Sequence, residues 1–167
     1  RLRVDVTPER AKVYDFSEPY AYNRMVVIVD SNRTDIASMA DLKGKNTANT
    51  ISSTYAEEAE KHGAKVTGVD DLNQTFELLL SGRIDATLNS EVTFYDYLRA
   101  HPDARIKIAA VSDHATEVAI PIRKGEATAS LRAVVNETIK GMRESGELAA
   151  LSKRFFGTDI STTAAKP

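Results

Sequence analysis

Apolar residues along this chain fall into short runs and stripes separated by polar punctuation. Met25 to Val29 is a β-branched run bounded by Arg24 and Asp30, which predicts a buried strand. Upstream, Arg3-Val4-Asp5-Val6 alternates like the end of a strand. Thr7-Pro8-Glu9-Arg10 then turns the chain, with Thr7 as cap and Pro8 in the first turn of a short helix. Downstream, Ala40 to Lys45 reads as a helical turn closed by glycine, and Thr47 to Ile51 as a strand. Ser53 or Thr54 caps a helix running through Ala56, Ala59 and His62 to Gly63. Lys65 to Val69 alternates as a strand, and Asp71 caps a helix whose Leu72, Phe76, Leu79 and Leu80 form one apolar stripe before Gly82. Ile84 to Leu88 predicts another strand and Val92 to Leu98 a helix. Ile106 to Val111 and Val118 to Ile122 predict two more strands. Two helices close the chain, Ala127 to Glu144 and Glu147 to Phe156, broken at Gly146, and Ser161 to Pro167 reads as a polar tail.

Strands separated by helical segments predict an α/β protein with a largely parallel sheet covered on both faces. Composition leaves that picture intact and removes several functions from it. The 167 residues are 42% hydrophobic and 28% charged, ordinary for a globular protein. A net charge of −2 provides no electrostatic footprint for nucleic acid. The apolar runs are far too short to span a bilayer. There is no cysteine, so disulfides, thiolate catalysis and sulfur-ligated metals are excluded. The chain opens at Arg1 on strand-like residues instead of a charged n-region and an apolar h-region, so a processed or cut start is expected.

Enzyme chemistry finds little support. His62, His101 and His114 lack paired ligand spacing, no Gly-x-Ser-x-Gly elbow occurs, and no Gly-rich phosphate loop follows a strand. No metal or cofactor is expected. Three features carry more. Ser52-Ser53-Thr54, between a strand and a helix, can cap the helix or can bind an anion with hydroxyls and a helix N-terminus. Arg10, after a turn that follows a strand end, is either a solvated charge or a two-armed grip on a carboxylate. Glu91, just past a strand, is either a first-turn helix charge or a receiver for an ammonium group. Spacing alone does not bring the three together.

The order of motifs does connect them. Thr7-Pro8-Glu9-Arg10 followed by Asp15-Phe16-Ser17-Glu18-Pro19-Tyr20 resembles the Thr-x-x-Arg…Phe-Ser-x-Pro-Tyr signature of family 3 extracytoplasmic solute-binding proteins, the amino-acid-binding components of ABC importers. Asp41-Leu42-Lys43-Gly44-Lys45 continues the register. Ser52-Ser53-Thr54 stands where the family usually has Gly-Thr-Thr, and Gly82-Arg83-Ile84-Asp85-Ala86 matches its Gly-Arg-x-Asp-Ala segment. Phe155-Phe156-Gly157-Thr158-Asp159-Ile160 is similar to its closing Phe-Gly-x-Asp pattern. Ser53-Thr54-Tyr55 and Asn89-Ser90-Glu91-Val92 are similar to the binding proteins for polar amino acids including cystine.

The resemblance implies a type II periplasmic-binding-protein-like α/β fold: two three-layer αβα lobes joined by two crossing strands, Met25 to Val29 outgoing and Val118 to Ile122 returning. Lobe 2 is expected to be complete at residues 29–119. Lobe 1, residues 1–28 and 120–167, is expected to lack the family's opening strands and helices. Carried over residue by residue, Arg10 holds a ligand α-carboxylate with Ser53 and Thr54. Around the α-amino group the pattern breaks, because many relatives have Asp at the position of Ser90 and Ser or Thr at that of Asp5. Asp5 or Glu91 is then expected to supply the negative charge, and Ser52 in the usual glycine's place bears on how the carboxylate sits. Tyr14, Phe16 and Tyr20 either wall the ligand or pack in lobe 1.

The implied function is extracytoplasmic capture of an amino acid, polar or cystine-like, by hinge closure and its delivery to a membrane permease. The implied location is the periplasm or a membrane anchorage outside the cell. A cyclic-carboxylic-acid dehydratase on the same fold and the sensing domain of a signalling receptor are the alternatives. An incomplete lobe 1 is expected to bare Leu131, Val134, Val135, Ile139, Met142, Leu148, Leu151 and Phe155, which opens self-association or partial disorder.

Overall fold

In the computed structural model, which describes residues 4–163, the chain forms β1 (Val4–Asp5), α1 (Pro8–Val13), β2 (Tyr14–Phe16) and β3 (Ala21–Asp30). A 3₁₀ turn at Met39–Leu42 leads into β4 (Asn46–Thr50), α2 (Thr54–Lys61), β5 (Lys65–Val69) and α3 (Leu72–Leu80). Then come β6 (Thr87–Ser90), α4 (Glu91–Ala100), β7 (Ile106–Ala119) and β8 (Pro121–Arg123). A second 3₁₀ turn, Glu126–Thr128, precedes α5 (Ala129–Glu144) and α6 (Glu147–Phe156). The strand start expected at Arg3, the chain start at Arg1 and the last part of the polar tail, 164–167, lie outside the described residues.

Two compact units divide the chain: Arg24–His114 is one, and the stretch up to Asn23 together with that from Ala115 onward is the other. The division falls at Asn23/Arg24 and His114/Ala115, inside β3 and β7, a few residues from the lobe limits 28/29 and 119/120 that the motif resemblance implies. Each strand that passes through both units is longer than its apolar run.

In the unit Arg24–His114, the all-apolar stretch of β3 has a simple cause. Successive side chains on a strand point to opposite faces, and here both faces are covered. Val26 and Ile28 pack with Ala48, Phe76, Leu79 and Phe94, below α3 and α4. Val27 and Val29 pack with Leu42, Ala59, Ala86 and Leu88 on the other side, toward α2.

The expected largely parallel sheet is corrected to a mixed one. β4 and β5 are parallel from Asn46↔Lys65 to Thr50↔Val69, and Thr47 bridges Ala86 in parallel. β3 and β6 are antiparallel, Met25↔Ser90 to Ile28↔Thr87. β3 carries the chain into this unit and β7 carries it out, so they run oppositely. The Tyr20 N–H donates to the Val118 carbonyl at 3.0 Å and the Ser31 N–H to the Arg105 carbonyl at 2.9 Å. Two strand expectations also change. The strand set at Ile84 to Leu88 begins only at Thr87, because Ile84 turns into the core and the Asp85 N–H bonds the Asn46 carbonyl at 2.7 Å. The strand set at 106–111 runs on to Ala119 as β7, whose middle is polar because Asp113, His114, Thr116 and Glu117 face solvent, and the strand set at 118–122 is divided after Ala119 between the end of β7 and the start of β8.

In the other unit, β1 pairs antiparallel with β7 and β2 with β8. Ile139, Ile122, Val118 and Ile160 are buried there. The closing segment is tied down by Ser152, whose Oγ donates to the Thr158 carbonyl and accepts from the Ile160 N–H, both at 2.7 Å. Of the helix residues expected to be bare, Leu131, Val134 and Phe155 are exposed. Val135, Met142, Leu148 and Leu151 are half-buried, and Ile139 is covered.

Candidate ligand-binding residues

β4 and β6 are parallel neighbours, so their carboxyl ends open in the same direction. β4 leads through α2 to β5 on one side, and β6 leads through α4 to β7 on the other. Such a reversal of connection leaves a crevice outside the strand ends, the usual ligand position in α/β sheets. At the end of β4, Ile51 donates to the Val69 carbonyl at 3.1 Å, and the backbone then takes a left-handed step at Ser52, φ +59°. This is the conformation that glycine provides without cost, at the position where the motif has glycine. Ser53 follows as N-cap of α2, its Oγ accepting from the Ala56 N–H at 3.2 Å. Capping uses only a lone pair, so the hydroxyl proton remains able to donate to an anion. The two readings of this segment are therefore compatible. Thr54, exposed, is the first residue of the helix.

Ser90 plays the same part at the end of β6. Its Oγ accepts from the Thr93 N–H at 3.1 Å, and its own N–H donates to Asn89 Oδ1 at 2.8 Å. Glu91 is only 3% exposed, with Oε1 accepting from the Tyr95 hydroxyl at 3.4 Å. Glu91 is thus a first-turn charge of α4 that is also buried, an uncommon place for a carboxylate. Ser52, Ser53, Thr54, Ser90 and Glu91 thus all sit at the carboxyl ends of β4 and β6.

Asp5 and Arg10 belong to the other unit. Thr7 caps α1 by accepting from the Arg10 N–H at 3.3 Å, and Arg10 Nη1 donates to the Asp5 main-chain carbonyl at 2.8 Å. Arg10 lines an open depression of about 550 Å³ with Val4, Val13, Tyr14, Pro121 and Arg123. Tyr14 is 45% exposed there, and Phe16 and Tyr20 are half-buried.

Most of the remaining motif residues prove to hold the fold. Asp41 accepts from the Ala37 and Ser38 N–H groups at 3.0 and 2.9 Å and from the Ser38 hydroxyl, which keeps its carboxyl below its ordinary pKa. Asp85 accepts from the Asn46 N–H at 2.8 Å and pairs with Arg33 at 2.7 Å. Arg33 also pairs with Asp35 at 2.7 Å, and Lys45 contacts the same carboxylate. Hydrogen bonds from Arg33 and then Lys45 hold the Asp35 carboxyl well below its usual range. Ser17, in the Phe-Ser-x-Pro-Tyr motif, is buried and accepts from the Ile120 N–H at 3.0 Å.

One residue escapes motif reading altogether. Asn49, 2% exposed in β4, donates through Nδ2 to the Leu88 carbonyl at 2.6 Å. The available signal was its residue type, since asparagine is depleted in strands and rarely buried. Among the described residues no cluster of three His, Asp or Glu side chains is placed to hold a metal, and no helix is long and apolar enough to cross a membrane.

A mixed α/β sheet covered on both faces, in a chain whose β3 and β7 thread two units, defines the type II periplasmic-binding-protein fold. The chain belongs to the bacterial extracellular solute-binding proteins, family 3, whose model matches residues 3–158. This is a family of binding proteins, not enzymes, so the dehydratase alternative falls away. The chain is 35% identical over 153 residues to the L-cystine-binding protein TcyA of Bacillus subtilis, covering 92% of this chain and 56% of that protein. It is 31% identical over 162 residues to the L-cystine-binding protein TcyJ of Escherichia coli K12, covering 95% of this chain and 60% of the relative. The unliganded open L-cystine solute receptor of Neisseria gonorrhoeae matches with a TM-score of 0.83 at 35% identity, over 94% of this chain and 65% of that one. The chain therefore spans less than two thirds of the length of these relatives.

Proposed function

We propose that this chain binds an amino acid outside the cytoplasm, polar or cystine-like, for delivery to an ABC transporter permease, with hinge closure on the ligand. Arg10 and the Ser53–Thr54 helix start hold the α-carboxylate. Glu91 or Asp5 faces the ammonium group in place of the aspartate that many relatives carry where Ser90 stands. Periplasmic release or membrane anchorage is equally compatible with this reading, and exposed Leu131, Val134 and Phe155 offer a surface for self-association.

The observation that carries the proposal is the turn at Ser52. A non-glycine residue held at φ +59° presents the capped start of α2 at the carboxyl end of β4, which is costly unless the turn's shape is needed. Relatives named for L-cystine binding support the ligand class. Calorimetry against an amino-acid panel tests it, on this chain and on a version extended to the length of the relatives. Cystine or a polar amino acid is expected to bind the extended version, with Arg10→Ala abolishing the signal and Glu91→Gln or Asp5→Asn weakening it. Failure of every amino acid to bind, or binding indifferent to Arg10→Ala, sinks the proposal.

A further inference from the structure

The seam between β4 and β6 is built differently from the other strand pairs of its unit. After the single main-chain bridge of Thr47 with Ala86 the ladder stops, and side chains take over. Thr87 Oγ1, fully buried, donates to the Ala48 carbonyl at 2.8 Å. Asn49 Nδ2 donates to the Leu88 carbonyl at 2.6 Å and toward Thr87 Oγ1 at 3.4 Å. A side-chain bond spans a wider gap than a main-chain rung, so the two strands part where these residues stand. β4 ends at Thr50, one residue beyond Asn49 and two short of the Ser52 turn, and β6 ends at Ser90, two beyond Leu88.

We propose that Asn49 is a positioning residue: its buried amide wedges β4 from β6 and sets the distance between the Ser52–Ser53 turn and Ser90–Glu91, hence the width available to a ligand's carboxylate and ammonium groups. This rests on the amino-acid-binding reading, but the wedge itself is a property of the unliganded chain. An apolar residue at 49 leaves the Leu88 carbonyl without this donor, so the spacing of the seam is no longer fixed.

The test compares wild type with Asn49→Leu, which keeps the approximate shape and removes the donor. In amide NMR spectra of the unliganded chain, Ser52, Ser53, Ser90 and Glu91 are expected to shift together, while β5 and α3 hold their positions. In the extended version, affinity for the amino acid it binds is expected to fall about tenfold, what one well-placed hydrogen bond is worth. If Asn49→Leu fails to fold, Asn49→Gln keeps the donor on a longer arm and is expected to move the same four amides. Shifts confined to 47–50, with Ser90 and Glu91 unmoved, overturn the proposal, as does an unchanged affinity. If wild type binds no amino acid, the functional reading fails and the amide shifts alone decide the wedge.

Discussion

In the unit Arg24–His114, β3 buries side chains on both faces of a sheet, and the serines at the ends of β4 and β6 stand on that base. In the unit formed by the two ends of the chain, α1 has no buried residue, and α5 and α6 turn Leu131, Val134 and Phe155 to solvent. The candidate binding groups inherit this contrast. Ser53 and Ser90 cap helices that leave fully packed strands, while Arg10 is aimed by one cap and one bond to the Asp5 carbonyl. Rigidity in a site comes from the shell beneath it, so one unit offers a preset half and the other a loosely guided arginine.

The sharpest way to break this comparison is to truncate one large side chain in each unit. Phe76 is fully buried between α3 and the sheet and stacks on Tyr97 with centroids 3.9 Å apart. Phe76→Ala is expected to cost about 3–5 kcal/mol, the range for emptying an aromatic core position. Leu131, 56% exposed, is expected to change stability by less than about 0.5 kcal/mol on Leu131→Ala. Urea unfolding followed by circular dichroism reads both. Equal losses would mean that the surface of α5 is covered in solution, and that the contrast belongs to the chain in isolation.

A smaller effect separates the units by pH. Asp35 is held by Arg33 and Lys45, which lower its carboxyl from an ordinary 3.8. A group depressed on folding stabilises the folded state above its unfolded pKa, and that contribution is lost as pH falls through the folded value. The unit Arg24–His114 should therefore hold its full ion-pair stabilisation from neutral pH down to about 4, then lose it progressively on further acidification. Asp35→Asn is expected to flatten that part of the melting temperature against pH curve and leave the neutral value little changed, since half-exposed pairs contribute modestly. A wild-type curve that the substitution leaves unchanged would assign the acid transition to other carboxylates.

How much of this was legible beforehand depends on how local each cause is. Helix α6, strand β5 and the caps Thr7, Ser53 and Asp71 were readable because a cap and a turn are decided within a few residues. The antiparallel pairing of β3 with β6 was not, because it follows from the chain passing through two units and no local pattern records that path. The continuity of β7 was hidden because its solvent-facing middle carries polar residues. For the candidate site, motif order named Arg10, Ser53 and Glu91. It gave no hint that Glu91 is buried or that Asp85 serves the fold, since burial and partner choice depend on residues dozens of positions away.

The mildest substitution bears most directly on the preset half. A left-handed φ costs an L-residue roughly 1–2 kcal/mol, and glycine avoids this while losing more chain entropy on folding. Ser52 sits at +59° and is exposed, so Ser52→Gly is expected to stabilise the chain by about 0.5–1 kcal/mol. The gain should appear as a higher urea midpoint with an unchanged slope, because the same surface is exposed on unfolding. Amino-acid affinity of the extended version is expected to stay within about twofold of wild type, since the turn already holds the glycine-like shape. Destabilisation would instead show that the Ser52 hydroxyl makes a bond worth more than the dihedral strain. The strain would then be the cost of a functional hydroxyl, and the preset half would owe its shape to Ser52 itself as well as to the packed strands below it.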